Sequence, residues 1–555
     1  MIYDNRFTLV LDKGSIGAVD GAGSVMTVPD IEEKPARGVF DIAAKGALTD
    51  VLDVVAAPPL RLFDRIDLPR GFATGAADVS ARLALPLVRA PAIDVVDYSV
   101  TGTLRDAASE VVIPDRTLTS EALSIDVSAR DVTVSGPIRV DGVPATTEWR
   151  QTFGEARSSA GGTIRLSPEA LATLGVPVPG GAVSGSATAL YALEIPGGGP
   201  PSVTLTSDLR GMGLRIDGLG WSKAPDARAT LSLDATLGNV PEVPRFAMEA
   251  PGLALEGSLD DGLGAVELST LRVGNWLNAS ARVETGVLAL TGGQLDLRAL
   301  PELSGGSGGS GRVSVDLDTL VVTDNQRLSP FRGDLTALGG GLSGDFQGRL
   351  NGGTVVRALL APTSRGTSVR LQANDAGGIL RDANLTPNAT GGTMDIVLTP
   401  VGNGQRGTYD GQFLIEGISL QDAPVMAALL DAASVVGLLQ QLGGAGIRFD
   451  TVDGRFGLTP TRLSFRDVAA TGASLGISAN GIYDMAAGAL DIEGVVSPFY
   501  FLNAFGALVS RRGEGLFGMN YSITGETARP RITVNPLSML TPGGFRAIFR
   551  RAPPE

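Results

Sequence analysis

The chain has 555 residues, a net charge of −14 and neither histidine nor cysteine. The missing residue types exclude a Ser-His-Asp triad, a cysteine nucleophile, a disulfide scaffold and the usual zinc and iron ligands. The acidic balance argues against nucleic acid as a partner, because nucleic-acid binding requires a basic surface. Apolar residues make up 43% of the chain, which excludes general disorder.

Short runs that alternate apolar and polar side chains recur along the chain and predict β-strands with one apolar face. The residues that we expect to line that face are Ile125, Val127, Leu231, Leu233, Val313, Val315, Leu317, Met394, Ile396 and Leu398. The 75 glycines are spaced like turns between strands. We predict on the order of 40 strands in a mostly β fold. The expected form is one long, continuous, curled antiparallel sheet whose apolar face forms a groove, with a few helices mainly near the C-terminus.

Loop-rich stretches and one apolar segment divide the chain into regions. The predicted regions are a β region over 1–155, a second with Gly/Pro-rich loops over 156–311, a third over 312–421, an apolar helix over 422–442 and a C-terminal β region over 443–555. The Gly/Ser tract 304–311 has the composition of a flexible linker.

Two segments carry the clearest helix signals. Ser167 can cap a short helix that begins at Pro168 and stops at Gly175. The segment 422–442 is apolar on nearly all sides, so protein or lipid must cover a helix there. Burial against the sheet is one interpretation, and a lipid-contacting plug or gate is the other.

The patterns that resemble catalytic or metal sites have ordinary structural interpretations. The G-x-S-x-G match at 472–476 opens no evident helix, whereas a nucleophile elbow requires a strand-to-helix turn and a base. Asp316 and Asp318 share one face of a predicted strand, where solvated carboxylates are normal, although calcium binding or glycosidase chemistry would also use paired acids. We expect the protein not to be an enzyme and to hold neither a metal nor a cofactor.

Aromatic residues and arginines concentrate at the C-terminal end. Such clusters are typical of contact with a membrane interface, and a terminal cap packed on the core is the equal alternative. The residues predicted to contact a membrane surface or a membrane protein are Phe499, Tyr500, Phe501, Phe505, Phe545, Arg546, Ile548, Phe549 and Arg550.

Targeting signals are missing from the sequence. Residues 1–10 resemble a strand and lack the basic and apolar segments of a signal peptide. No run of 18 apolar residues predicts a membrane-spanning helix. The protein is therefore expected either to be cytosolic or to have its anchor upstream of Met1, and the second expectation is favoured by the family resemblance that follows.

An ordered series of segments between Val369 and Phe549 resembles the C-terminal region of the AsmA-like family, as in YhdP-type envelope proteins. These segments are Asp375–Leu380, Gly391–Thr393, Gly417–Pro424, Gly446–Phe449, Gly472–Gly476, Gly481–Asp484, Val496–Asn503 and Val534–Phe549. Residues 60–155 are similar to the middle β region of the same proteins.

The resemblance implies a periplasmic protein of the Gram-negative envelope, anchored by an inner-membrane helix and related to bridge-like lipid transfer proteins. The chain departs from that pattern because it lacks the anchor. The expected function is non-enzymatic transport of phospholipid between the inner and outer membranes, which contributes to outer-membrane homeostasis.

Two alternatives stay open. One is a TamB-like scaffold for outer-membrane protein assembly that binds polypeptide by strand addition. The other is a passive structural β-solenoid, since apolar alternation is the same in a lined groove and in a filled core.

Overall fold

The protein is mostly β, with 61% of its residues in strands and 11% in helices. The computed structural model describes residues 2–57, 69, 71–89, 96–113, 115–176, 178–238, 240–260, 264–284, 286–301, 311–338, 341–402, 407–498, 500, 513–515, 517–527 and 529–540. The chain divides into two compact units, Met1–Gly274 and Asn275–Glu555.

The described residues of the first unit form strands β1 to β21 and two α-helices. The strands are β1 (Ile2–Tyr3), β2 (Arg6–Val10), β3 (Ser15–Ile16), β4 (Val19–Asp20), β5 (Val25–Val28), β6 (Arg37–Ala47), β7 (Thr74–Pro86), β8 (Asp97–Ser109), β9 (Leu118–Val127), β10 (Asp131–Val140), β11 (Val143–Thr152), β12 (Ser158–Leu166), β13 (Val183–Gly185), β14 (Ala187–Ile195), β15 (Ser202–Ser207), β16 (Met212–Ile216), β17 (Trp221–Lys223), β18 (Thr230–Thr236), β19 (Glu242–Ala250), β20 (Leu253–Asp260) and β21 (Ala265–Val273). The helices are α1 (Leu48–Ala56) and α2 (Pro168–Thr173).

These strands form a long antiparallel ladder in which most neighbours in the chain are also neighbours in the sheet. From β6 to β12 each strand pairs with the next, and the ladder continues through β14, β15, β18, β19, β20 and β21. The strands β13, β16 and β17 form a separate small antiparallel sheet. Hairpin connections of this kind require only short turns, which agrees with the frequent glycines.

In the second unit, the part of the chain that the structure describes forms strands β22 to β38 and three α-helices. The strands are β22 (Leu277–Glu284), β23 (Val287–Asp296), β24 (Arg312–Leu317), β25 (Thr319–Thr323), β26 (Gln326–Leu338), β27 (Gly341–Leu350), β28 (Val355–Thr363), β29 (Gly366–Ala373), β30 (Ala389–Thr390), β31 (Thr393–Pro400), β32 (Tyr409–Leu420), β33 (Ile447–Leu458), β34 (Arg462–Thr471), β35 (Leu475–Asp484), β36 (Ala489–Pro498), β37 (Met519–Glu526) and β38 (Arg531–Asn535). The helices are α3 (Ala376–Asp382), α4 (Pro424–Ala432) and α5 (Val436–Gly443).

The second ladder is mixed, because a few parallel pairs accompany the expected antiparallel ones. Strands β24 and β25 both run parallel to β23 and antiparallel to β26. A parallel pair needs a connection longer than a hairpin turn, and residues 297–311 separate β23 from β24 in the sequence. From β26 onward the ladder is antiparallel, through β27, β28, β29 and β31 to β38.

The described α-helices of each unit lie at one end of the strands of its ladder. In the first unit, α1 follows β6 and α2 follows β12, and the register places both of these strand ends on the same side of the ladder. In the second unit, α3 follows β29, and α4 and α5 follow β32. The opposite strand ends of the second unit are joined by turns such as 364–365 and 459–461. We call the edge of each ladder at which the helices follow the strands the helix rim, and the edge formed by the opposite strand ends the turn rim.

The predicted helix at 167–174 is confirmed. The Ser167 hydroxyl accepts a hydrogen bond from the backbone N–H of Ala170 at 3.2 Å, and Pro168 occupies the first turn of α2. The structure divides the predicted helix 422–442 into α4 and α5, because Ser434 takes a left-handed conformation with φ of 56°. Helices α1 and α3 have no counterpart in the sequence analysis.

Candidate binding surface on the apolar face

Direct strand pairing places apolar residues of the second unit in one continuous row on a single face. Residues that pair directly across neighbouring strands point to the same side of the sheet. The row runs through Val313, Leu335, Gly344, Leu360, Val369, Leu398, Gly411, Phe456, Phe465, Gly481, Ile492, Ile523 and Ile532. Every member is apolar or glycine. We call this face of the sheet the apolar face and its reverse the outer face.

The first unit has an equivalent row. It runs through Ala44, Val79, Gly102, Ile125, Val134, Trp149, Ala160, Leu193, Val203 and Ala235. A neighbouring row continues the apolar surface through Tyr191, Leu205, Leu233, Phe246, Gly257 and Leu268. Each unit therefore presents an apolar surface across many strands.

Near the helix rim, the apolar face is a filled core. In the second unit, Leu430 of α4 and Leu442 of α5 are almost fully buried in one cluster with Ile418, Phe449 and Val496 of the sheet. In the first unit, α1 buries Leu48 and Val51 against Ala77, Val79 and Leu104. The helices therefore pack on the sheet, as the burial interpretation of 422–442 predicts.

Away from the helix rim, several apolar side chains of the second unit are covered only in part. Leu360, Val369, Leu398, Phe456 and Ile492 are all half-buried. A second layer of secondary structure would bury such residues completely, as α4 and α5 bury their own contacts. These positions therefore retain apolar area on which a ligand can gain about 0.8 kcal/mol for each buried CH₂ group.

Glycines on the apolar face make room for aromatic rings from the neighbouring strand. A β-carbon at Gly411 would overlap the ring of Phe456, its direct partner, and one at Gly333 would come within 2.7 Å of the Cβ of Phe346. The rings of Phe413 and Phe456 lie with their centroids 6.2 Å apart. These pairs let large side chains lie across the strands instead of standing upright on the surface.

The outer face is polar and carries ion pairs between neighbouring strands. Arg332 Nε lies 2.8 Å from Asp316 Oδ1, and Arg370 Nε lies 3.0 Å from both carboxylate oxygens of Asp395. The hydrogen bond from Arg370 holds the pKa of Asp395 below its usual value. Asp318, the other acid of the predicted pair, accepts a hydrogen bond from the backbone N–H of Gly293 at 2.8 Å. Asp316 and Asp318 therefore both have structural roles on the sheet.

The residues predicted to line the apolar face differ in exposure. Val127, Val315 and Leu317 are buried and have little surface to offer a ligand. The half-buried members are Ile125, Leu231, Leu233, Val313, Met394, Ile396 and Leu398. Strand register places all ten on the apolar faces of their units. Leu360, Val369 and Phe456, which the sequence analysis did not predict to line this face, share the row of Leu398.

Most of the predicted membrane-contact residues lie outside the described residues. These are Phe499, Phe501, Phe505, Phe545, Arg546, Ile548, Phe549 and Arg550. Tyr500 is described and half-buried, and its hydroxyl accepts a hydrogen bond from the backbone N–H of Gly513 at 3.3 Å. The nearby 3₁₀ segment Pro536–Leu540 exposes Leu537 by 70% and Leu540 by 82%. Sequence reasoning missed these two leucines because isolated apolar residues carry no periodic signal.

Polar groups buried near the C-terminal end of the second unit serve the fold. The Tyr521 hydroxyl donates to the carbonyl oxygen of Ser478 at 2.9 Å, and complete burial raises the pKa of Tyr521. The Ser478 hydroxyl also lies 3.3 Å from Glu514 Oε1. Within the described ranges, no cluster of three or more acidic side chains is placed to hold a metal ion. In the same part of the chain, no helix has both the length and the apolarity needed to cross a bilayer.

The comparisons with known proteins leave the family resemblance as a prediction. No family model, no curated protein and no solved structure matches the chain. The candidate surface therefore rests on the register and burial of its own residues.

Proposed function

We propose that the protein is a non-enzymatic carrier of phospholipid whose acyl chains lie along the apolar faces of its sheets. The observation that carries the proposal is the unbroken row of apolar residues and glycines in the second unit, of which Leu360, Val369 and Leu398 are half-buried. Acyl chains are uniform and flexible, so a long apolar surface without specific polar contacts suits them. The hydrophobic effect supplies the affinity, and no residue has to perform chemistry.

The proposal includes the setting that the AsmA-like resemblance implies. In this setting the protein works in the periplasm and moves phospholipid between the inner and outer membranes. Its C-terminal end contacts a membrane surface or a membrane protein. The exposed side chains of Leu537 and Leu540 support such a contact, because both lie on the same 3₁₀ turn and can enter a bilayer interface together.

Lipid analysis of the purified protein tests the carrier proposal. We expect native mass spectrometry to show adducts with the mass of phospholipid, and solvent extraction to recover the same lipids. A β protein of similar size with a fully packed core, purified from the same membranes, is the control for adhering lipid. Protein free of lipid after purification in a mild detergent, and unable to take up lipid from vesicles, would favour the packed structural interpretation.

A further inference from the structure

The 3₁₀ turn Pro536–Leu540, which follows β38, has an inverted burial pattern. Its one hydroxyl residue, Ser538, is fully buried. Its apolar side chains, those of Leu537, Met539 and Leu540, are exposed. A surface turn ordinarily exposes its polar side chains, so a buried serine beneath exposed leucines is informative. The leucines are not used by the fold and are available to an apolar environment outside the protein.

Hydrogen bonds on the inner side of the turn hold it against the sheet. The Ser538 hydroxyl accepts a hydrogen bond from the backbone N–H of Asn520 at 2.8 Å and donates one to the carbonyl oxygen of Asn535 at 2.5 Å. The side chain of Asn535 accepts a hydrogen bond from the backbone N–H of Leu537 at 3.1 Å. The turn also contacts β37, the strand of Asn520. These polar contacts fix the leucines in an outward position.

The Asn520 side chain is buried without a partner beside this turn. Strand alternation places it on the outer face, opposite to Tyr521, and yet Asn520 is only 9% exposed. Within the described part of the chain, neither its Nδ2 nor its Oδ1 atom has a hydrogen-bond partner. Val495, its direct partner on β36, is fully buried on the same face. The outer face is therefore covered at this point, and the turn supplies part of the cover.

Closure of the turn leaves an opposing force in place. Burying a carboxamide without partners is unfavourable, because water satisfies its donor and its acceptor when the cover is removed. The hydrogen bonds of Ser538 oppose that opening in water. A bilayer that receives Leu537 and Leu540 adds a second term in favour of opening. The closed turn is therefore balanced so that an apolar environment can shift it.

The composition and size of the turn favour a bilayer as its partner. Residues 515–523 and 532–540 contain no charged residue, so neither stretch carries an ion into an apolar environment. A stable protein interface uses about 20 to 30 residues on each side, and this turn has five. A few apolar side chains on one turn are sufficient for reversible contact with a bilayer interface.

We propose that Pro536–Leu540 is a bilayer-docking turn that moves away from the outer face when Leu537 and Leu540 enter the membrane. This inference rests on the membrane contact in the proposed function and adds the movement that accompanies it. Ser538 positions the leucines for first contact. Opening exposes the Asn520 carboxamide to water, which offsets the loss of the Ser538 hydrogen bonds.

Hydrogen exchange at the backbone amide of Asn520 tests the inference, because the acceptor of that amide is Ser538 of the turn. We expect phosphatidylcholine vesicles to accelerate this exchange about tenfold and to leave the amide of Ile523, in the middle of the same strand, unchanged. The variant Leu537→Ser/Leu540→Ser should lose the acceleration. Exchange at Asn520 that stays unchanged or slows in vesicle-bound protein would overturn the inference.

Removal of the unpaired amide provides a second test. Asn520→Leu keeps the branched shape of the side chain and removes its polar groups. We expect about tenfold slower exchange at position 520 and about tenfold weaker binding to vesicles in flotation. Thr524→Val is the control, since it removes a hydroxyl from the same face of the same strand and should change neither quantity. Faster exchange in Asn520→Leu would show that the amide stabilises the closed turn, contrary to the inference.

Flotation of the wild type separates this inference from the carrier proposal. If the wild type floats through Leu537 and Leu540 without faster exchange at Asn520, the membrane contact is kept and the movement is wrong. If it carries phospholipid but does not float, the contact and the movement are both wrong, and the carrier proposal is unaffected. If it neither floats nor carries phospholipid, the carrier proposal is wrong as well.

Discussion

A carboxylate introduced on the apolar face should abolish lipid binding without unfolding the protein. Leu398 is half-buried and has Val369 and Gly411 as its direct partners. In Leu398→Asp, an acyl chain that binds here must bury the new carboxylate, which has no basic partner among its direct neighbours. Burying an unpaired carboxylate costs several kcal/mol. We expect the phospholipid that co-purifies with Leu398→Asp to fall to about one-tenth of the wild-type amount or less.

The neighbouring residue provides a matched control. Val397 is also half-buried, but it lies on the outer face and pairs directly with Arg370 and Gln412. Val397→Asp therefore introduces the same charge into the same strand beside a guanidinium group, and it should leave lipid binding intact. Circular dichroism of both variants verifies that the fold is kept. Equal loss of lipid in the two variants would show that the face of the strand does not matter.

Removal of a buried side chain from α4 should produce the largest loss of stability. The side chain of Leu430 is fully buried among Ile418, Phe449 and Leu442. Truncation to alanine removes this contact and leaves a cavity, at a cost of about 2–5 kcal/mol. We expect Leu430→Ala to lower the urea midpoint of unfolding of the second unit accordingly.

Val425→Ala is the control on the same helix, because the Val425 side chain is 41% exposed. Its expected change is within about 0.5 kcal/mol. If Leu430→Ala were as mild as the control, α4 would not pack on the sheet. The apolar face would then lack cover at the helix rim as well.

The alternation of apolar and polar residues was sufficient to predict the mostly β class and the face on which each residue lies. The prediction worked at Met394, Ile396 and Leu398 because a strand has a period of two and these residues are two apart. The same pattern contained no information about which apolar positions are covered. Leu317 and Leu398 both end an apolar series with a period of two, yet Leu317 is buried and Leu398 is half-buried.

Helices that depend on tertiary contacts could not be predicted. Helix α3 contains Gly377 and Gly378, which disfavour a helix in isolation. The fold requires glycine there, because a β-carbon at Gly377 would overlap the backbone of Thr390. The side chain of Asp375 supplies the cap, accepting a hydrogen bond from the Gly378 N–H at 2.9 Å. The break between α4 and α5 likewise depends on one left-handed residue, Ser434.

The parallel pairing of β23 with β24 also has no local signature. It depends on where the chain returns after the segment 297–311, and no residue of either strand encodes that return. The apolar face of ten residues was thus predicted from the sequence, whereas the filled and uncovered parts of that face emerged only from the packing of the helices.

Photocrosslinking at Ile396 tests the central claim most directly. A photoreactive residue at Ile396 is half-buried on the apolar face, and one at Val397 occupies the outer face of the same strand. After irradiation in cells, we predict phospholipid adducts on the protein labelled at Ile396 and none on the protein labelled at Val397. Adducts only with protein at Ile396, or equal lipid adducts at both positions, would contradict the account.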